Sequence, residues 1–245
     1  MKVVIIGATK GIGRSVARIL AERGDSLFVL GRNGDELART KQDLEARRSS
    51  LSVGAAHCDL LDVSTIGPAL DEADRALGGF DTVVVTAGLF GTQEEIENDA
   101  DLRDRVLQAN FVGTIQFCEA AKALLLSRGG GRLCVLSSVA GEKARKPVVI
   151  YGATKAGLTA YLNGLDARHY ADGLRVVVVK PGFVRTTMTA NLPEPPFAGD
   201  VEPVARDIVK AIDRESSEIY TPWIWRWVMT AVRMLPRGFM RKAKF

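Results

Sequence analysis

Histidine is scarce in this chain of 245 residues: His57 and His169 lie far apart, with no cluster of ligand spacing around either. A metal centre is therefore not expected. Cysteine is nearly as scarce. Cys58, Cys118 and Cys134 are scattered inside apolar segments without paired spacing, which argues for a reducing compartment and for thiols used as small core residues. No apolar run reaches the roughly 18 uncharged residues of a membrane span. Linkers, internal repeats and low-complexity stretches are also missing, so one large α/β domain is expected. The opening strand runs straight into a glycine loop and leaves no room for a signal peptide, so the expected location is cytoplasmic.

Acidic residues are missing from one place in particular. From Thr221 onward there are six basic residues (Arg226, Arg233, Arg237, Arg241, Lys242 and Lys244) and no Asp or Glu. The overall charge of +4 is thus carried by the tail, and the rest of the chain is slightly acidic. That balance gives nucleic-acid binding by the body no support.

What is present is a regular alternation of strands and helices. Apolar runs at Lys2–Ile6, Ser26–Leu30, Leu51–His57, Asp81–Val85, Arg132–Leu136 and Leu174–Lys180 read as strands. Helical patterns fall at Arg14–Arg23, Asp35–Arg48, Val63–Leu77, Asp101–Ser127 and Tyr151–Tyr170. Such alternation implies right-handed crossovers and a doubly wound parallel sheet, a single-domain Rossmann fold over residues 1–220. Ligands of such sheets sit at the carboxyl ends of the strands. Those ends here are the Gly7 loop, Arg32, Asp59, Thr86-Ala87-Gly88, Ser138 and Pro181-Gly182, six places that should gather along one edge.

The loop Gly7-Ala8-Thr9-Lys10-Gly11-Ile12-Gly13 stands between the first strand and the first helix. In that context glycines permit a tight turn and bring a pyrophosphate to the helix N-terminus, where free N–H groups and the dipole favour anions. Further on, Tyr151 and Lys155 are four apart at the head of a helix, and so on one face. A plain exposed helix would also carry that spacing. If instead the pair lines a cofactor cleft, the cation should lower the phenol below its usual pKa of about 10. Tyr151 would then exchange a proton with a substrate oxygen, and the Ser138 hydroxyl would steady the same atom.

Across about residues 1 to 220 the chain resembles the classical short-chain dehydrogenase/reductase family. Gly7-x-x-x-Gly11-x-Gly13 has that family's spacing, Asn110-Phe111-Val112-Gly113 matches its Asn-x-x-Gly, and Ser138 stands thirteen residues before Tyr151. The resemblance implies a catalytic tetrad of Asn110, Ser138, Tyr151 and Lys155. Tyr151 would be the acid/base, Ser138 the orienting donor and Lys155 the ribose ligand, with Asn110 supporting a water that relays protons to Lys155. It also implies dinucleotide contacts from Gly7, Thr9, Lys10, Gly11, Ile12 and Gly13, from Asp59 and Leu60 at the adenine, and from Ala87 and Gly88. Pro181, Gly182, Val184 and Thr186 would border the nicotinamide. A homodimer or homotetramer is the implied assembly. Two positions depart from the pattern: Ile6 stands where the family has Thr, and Val85-Thr86-Ala87-Gly88 where it has Asn-Asn-Ala-Gly.

Charge selects the form of the cofactor. An NAD enzyme carries an acid at the end of the second strand, for the ribose 2′-hydroxyl. This chain has Gly31-Arg32 there, and Lys10 inside the glycine loop, so two cations point to the 2′-phosphate of NADPH.

The segment 187–200, with Met188, Leu192 and Phe197, reads as an apolar substrate lid. All three Trp fall in Trp223-Ile224-Trp225-Arg226-Trp227, opening an apolar helix with a polar stripe at Arg226, Thr230, Arg233 and Arg237. Its thirteen residues to Leu235 span roughly 20 Å, short of a bilayer's ~30 Å. Segment 221–245 therefore suits the surface of an anionic membrane, a partner subunit or the mouth of the cleft. Lid and tail together favour a hydrophobic or lipid-linked ketone. A soluble 3-ketoacyl or general carbonyl reductase and a cofactor-binding regulatory protein are the alternatives.

Overall fold

The computed structural model describes residues 1–48 and 52–242. Its seven strands form one all-parallel sheet in the order β3-β2-β1-β4-β5-β6-β7. The strands are β1 Lys2–Ile6, β2 Ser26–Gly31, β3 Val53–His57, β4 Thr82–Val85, β5 Gly131–Leu136, β6 Leu174–Pro181 and β7 Glu218–Thr221. The helices are α1 Gly11–Arg23, α2 Gly34–Ala46, α3 Ile66–Leu77, α4 Gln93–Asn98, α5 Ala100–Leu107, α6 Thr114–Ser127, α7 Val149–His169, α8 Val201–Asp213, α9 Ile224–Met234 and α10 Arg237–Lys242. The order reverses between β1 and β4, which opens a crevice at their carboxyl ends.

Both faces of the sheet are covered, which is why its strands read as unbroken apolar runs rather than alternating ones. In β1, Val4 and Ile6 join the cluster that includes Leu70 of α3, Phe117 of α6 and Leu158 of α7. Val3 and Ile5 point the other way, to Leu20 of α1, Leu44 of α2 and Ile208 of α8. Each such fully buried side chain contributes about 1.5–3 kcal/mol of transfer free energy.

Four departures from the sequence reading concern the site. Leu174–Pro181 is not the last core strand. Helix α8, whose pattern sits behind the Pro-rich segment, leads to β7, and β7 pairs with β6 from Val178↔Glu218 to Pro181↔Thr221. The long helix expected over Asp101–Ser127 is broken by a π-helical turn, Gln108–Gly113, which holds Asn110. A short extra helix, α4, precedes it, capped by Thr92 and Glu95 in a reciprocal capping box. The third strand begins at Val53, and Leu51 lies outside the described residues.

Candidate active site

The carboxyl ends of six strands meet along one edge of the sheet. Gly7 follows β1 with φ +94°, and a Cβ on it would stand 2.5 Å from the Ala87 amide nitrogen. Only glycine lets this loop press on the turn after β4. Thr86 Oγ1 donates to the Ile6 carbonyl at 3.0 Å. The two departures from the family pattern are therefore one feature, a hydroxyl from β4 that ties down an apolar β1 end. Helix α1 starts from Lys10 with no side chain capping its first amides and no acid in its first turn. Uncapped N–H groups at the positive end of a 13-residue helix form an anion site, and a dinucleotide's pyrophosphate fits it.

One cleft of about 990 Å³ is lined by Lys10, Gly11, Ile12 and Gly13, by Ala87 and Gly88, by Ser138, Tyr151 and Lys155, and by Pro181, Gly182, Val184 and Thr186. The other expected contacts lie outside its walls. Thr9, beside Gly31, and exposed Arg32 stand at the β1 and β2 ends. Asp59 accepts the Leu61 N–H at 3.0 Å at the end of β3, and Leu60 is buried beneath it. Around Lys10 the structure adds a cation and an acid, since Lys10 Nζ and Arg14 Nη2 stand 3.8 and 3.7 Å from the Glu36 carboxylate.

Ser138 leaves β5 into a 3₁₀ turn, Val139–Gly141, with its Oγ accepting the Ala140 N–H at 3.1 Å. Helix α7 is fastened alongside by the Ser137 hydroxyl, which donates to the Lys155 carbonyl at 3.0 Å. This brings Tyr151 and Lys155 in beside Ser138, and Phe90 packs edge-on against the phenol ring at 5.1 Å between centroids. Asn110 is fully buried. Its Oδ1 accepts from the Leu89 N–H and its Nδ2 donates to the Leu89 carbonyl, each at 2.7 Å. Both polar atoms of that side chain thus hold the turn that follows Gly88.

The electrostatics differ from the sequence expectation. Lys155 does not lower the Tyr151 phenol. Burial raises it above its usual value, and the facing Ser138 hydroxyl works in the opposite direction. The reason is where Lys155 points: its ammonium is buried, donates to the Leu136 carbonyl at 2.9 Å, and lies 5.9 Å from the Tyr151 ring centroid. Burial also lowers Lys155 itself, to about 8. A lysine depressed from 10.5 to about 8 is charged in both folded and unfolded chains below pH 8, where burying it costs stability. Between those values the unfolded chain holds the extra proton, so folding gains stability as pH rises. Urea unfolding at pH 7.5 and pH 10 should show wild type gaining about 2 kcal/mol on Lys155→Met. No relative gain would contradict the buried ammonium.

A family model described as short chain dehydrogenase matches residues 1–196 of this sequence. The chain belongs to the short-chain dehydrogenase/reductase family. An uncharacterized oxidoreductase of Mycobacterium tuberculosis is 31% identical over 240 residues, 98% of this chain and 96% of the relative. An uncharacterized oxidoreductase of Streptomyces coelicolor, from the mprA 5′ region, is 34% identical over 247 residues, covering 98% and 94%. A short-chain type dehydrogenase/reductase from Mycobacterium ulcerans has the same fold, with TM-score 0.80 at 24% identity over 89% of this chain and 86% of that one. Levodione reductase superposes with TM-score 0.80 at 20% identity, over 89% and 94%.

The region after β6 forms one wall of the cleft. Met188 and Leu192 line the cleft, and Arg185 holds their loop through Glu194, at 3.0 and 2.5 Å, and Asp200, at 2.8 Å. Phe197 does not join them. Its side chain is 57% exposed, its φ is +66°, and only its carbonyl is engaged, accepting Trp225 Nε1–H at 3.1 Å. The apolar character of Phe197 therefore says nothing about substrate.

Helix α9 lies across the same mouth. Trp225 and Met229 are buried against Val139, Phe183 and Tyr220, and Trp225 reaches the cleft. The indole lies so close over Gly182 that a Cβ there would stand 2.1 Å from Nε1. The helix is also latched to the loop that starts at Ser138. Arg233 pairs with Glu142 at 3.0 Å, and Lys143 Nζ donates to the Arg233 and Leu235 carbonyls at 3.1 and 2.9 Å. Buried Lys180 sits between Glu142 and Glu218, joining this latch to the sheet. Among the described residues no helix is long and apolar enough to cross a membrane, and no group of three or more His, Cys, Asp or Glu is placed to hold a metal.

Arg145 and Trp225 line the cleft and Arg14 pairs with Glu36 beside Lys10, and sequence reasoning singled out none of the three. Arg14 had a visible signal, one helical turn after Lys10. Arg145 falls in the basic run between Ser138 and Tyr151. Nothing local distinguished Trp225 from its two neighbouring tryptophans.

Proposed function

We propose that this oxidoreductase reduces a hydrophobic ketone to a secondary alcohol at the expense of NADPH. The observation that carries the reading is the convergence of Ser138, Tyr151 and Lys155 with the uncapped N-terminus of α1 on one cleft. When bound, the reduced nicotinamide supplies the hydride. The residues of the chain do the rest. The Ser138 hydroxyl donates to the ketone oxygen, and Tyr151, still protonated because burial raises its pKa, gives that oxygen its proton. Lys155, whose ammonium donates to the Leu136 carbonyl, would hold the cofactor ribose and favour the phenolate left behind. Apolar walls from Phe90, Val148, Phe183 and Trp225 exclude water and suit an apolar substrate.

Lys10, Arg14 and Arg32 would receive the 2′-phosphate, with Glu36 as the opposing charge. The ion pairs of Lys10 and Arg14 to Glu36 are long and solvent-screened, so a phosphate displaces the carboxylate at small cost. Arg32→Asp should raise the Michaelis constant for NADPH by about 10- to 100-fold and that for NADH far less. Glu36→Gln should shift preference the other way, further toward NADPH. Steady-state kinetics with both cofactors decides. Equal effects of Arg32→Asp on the two would sink the NADPH assignment, and failure of every ketone to oxidise NADPH would sink the reductase.

A further inference from the structure

Arg145 is a charged group in the cleft that no acid among the described residues neutralises. It lies in the loop between Ser138 and Tyr151, immediately before the 3₁₀ turn Lys146–Val148, and lines the same cavity as the phenol. No carboxylate among the described residues comes within ion-pair distance of its guanidinium, and no carbonyl or side chain among them accepts a hydrogen bond from it. Its Nε is cut off from solvent with no partner. Arginines in such positions are ordinarily paired, because an unpartnered buried donor is destabilising and more so when charged. Burial depresses this guanidinium below its ordinary value, as expected of a cation partly withdrawn from water. The acids nearby do not fill the gap. Glu194 is held by Arg185, Glu97 accepts from Gln93 Nε2 at 2.7 Å, and Glu94 is exposed at the rim.

We propose that Arg145 receives an oxyanion carried by the substrate, so that the cleft takes an amphipathic ketone: a carboxylate or phosphate at this guanidinium and an apolar remainder against Phe90, Val148, Phe183 and Trp225. A planar fork of donors suits either oxyanion, and the pairing restores the missing partner inside a cleft of low polarity. That the ligand is a ketone rests on the reductase reading. That it is anionic rests on Arg145 alone, and the two can fail separately.

The full-length protein, saturated with NADP, is titrated by calorimetry with octanoate, octyl phosphate and octanol. Wild type should bind the better of the two anions about 10- to 100-fold more tightly than the alcohol, and the stronger anion distinguishes carboxylate from phosphate. Arg145→Gln should erase that preference, and Arg145→Lys should restore part of it. Octanol bound as tightly as both anions by wild type would overturn the proposal without any variant. So would an anion preference that survives in a folded Arg145→Gln. Kinetics add a second reading. Arg145→Gln should lower kcat/KM for a long-chain oxo acid about 10- to 100-fold more than for its methyl ester. Equal losses on acid and ester would overturn the assignment, whereas absence of turnover with every ketone would count against the reductase and leave the calorimetry to judge Arg145.

Discussion

Tyr151→Phe should lower the rate of NADPH-dependent ketone reduction by about 10²–10⁴-fold, the usual worth of a positioned general acid. The substitution removes one oxygen. The ring keeps its edge-on contact with Phe90, and nothing in the anion site at α1 is touched. Cofactor affinity, read from quenching of protein fluorescence, should therefore stay within about threefold. The pH profile supplies a stricter check. With the Tyr151 phenol held above its usual pKa and Lys155 lowered to about 8, Lys155 is the group that titrates first as pH rises. The kcat/KM for reduction should accordingly be highest on the acid side of about 8 and fall above it. A Tyr151→Phe variant that retains most of its rate would remove the phenol from the mechanism and leave Ser138 and solvent to supply the proton.

Trp225→Ala should destabilise the protein by about 3–5 kcal/mol, the cost of truncating a large buried aromatic side chain. The indole fills the space over Gly182, gives its N–H to the Phe197 carbonyl and seats α9 on the Ser138 loop. Its loss should also raise the Michaelis constant for apolar ketones, because one wall of the cleft goes with it. Trp227, 63% exposed, should tolerate Ala within about 0.5 kcal/mol. Denaturant unfolding followed by circular dichroism separates the two, and similar midpoints for both variants would refute the burial of Trp225. Trp223, Trp227 and Met234 stand in solvent beside Arg226, and Arg237 and Arg241 follow on α10. We propose an anionic lipid surface as the partner of this face. The pair Trp223→Ser and Trp227→Ser should weaken sedimentation with phosphatidylglycerol vesicles about tenfold or more at unchanged melting temperature. Loss of subunit association in their place would identify the face as a subunit contact.

The tail illustrates why part of the site could not be read from sequence. Three tryptophans within five residues look alike in a one-dimensional pattern, yet they differ by their angle around the α9 axis. That angle matters only once β7 has set where the helix begins. Strand β7 was itself illegible, because Glu218–Thr221 is four residues long and the helix that leads to it, α8, stands behind a Pro-rich segment. The lid failed in the same way for Phe197. A left-handed backbone turned its ring to solvent, and no apolar count foresees that. Asn110 was legible as a motif but not as a brace, since its two bonds to the Leu89 peptide depend on a π-helical turn that its sequence does not announce.

Local chemistry alone determined the order of the first six strands, the glycine turn aimed at a helix N-terminus, and the pairing of Tyr151 with Lys155. Each of these depends on residues only a few positions apart. Tertiary structure decided what those groups experience. It turned the Lys155 ammonium to Leu136, and it closed the cleft with Trp225 from the far end of the chain. It also left Arg145 half-buried without a counter-ion among the described residues. Desolvation and charge pairing depend on which distant segments arrive at a side chain, and sequence spacing carries no record of that.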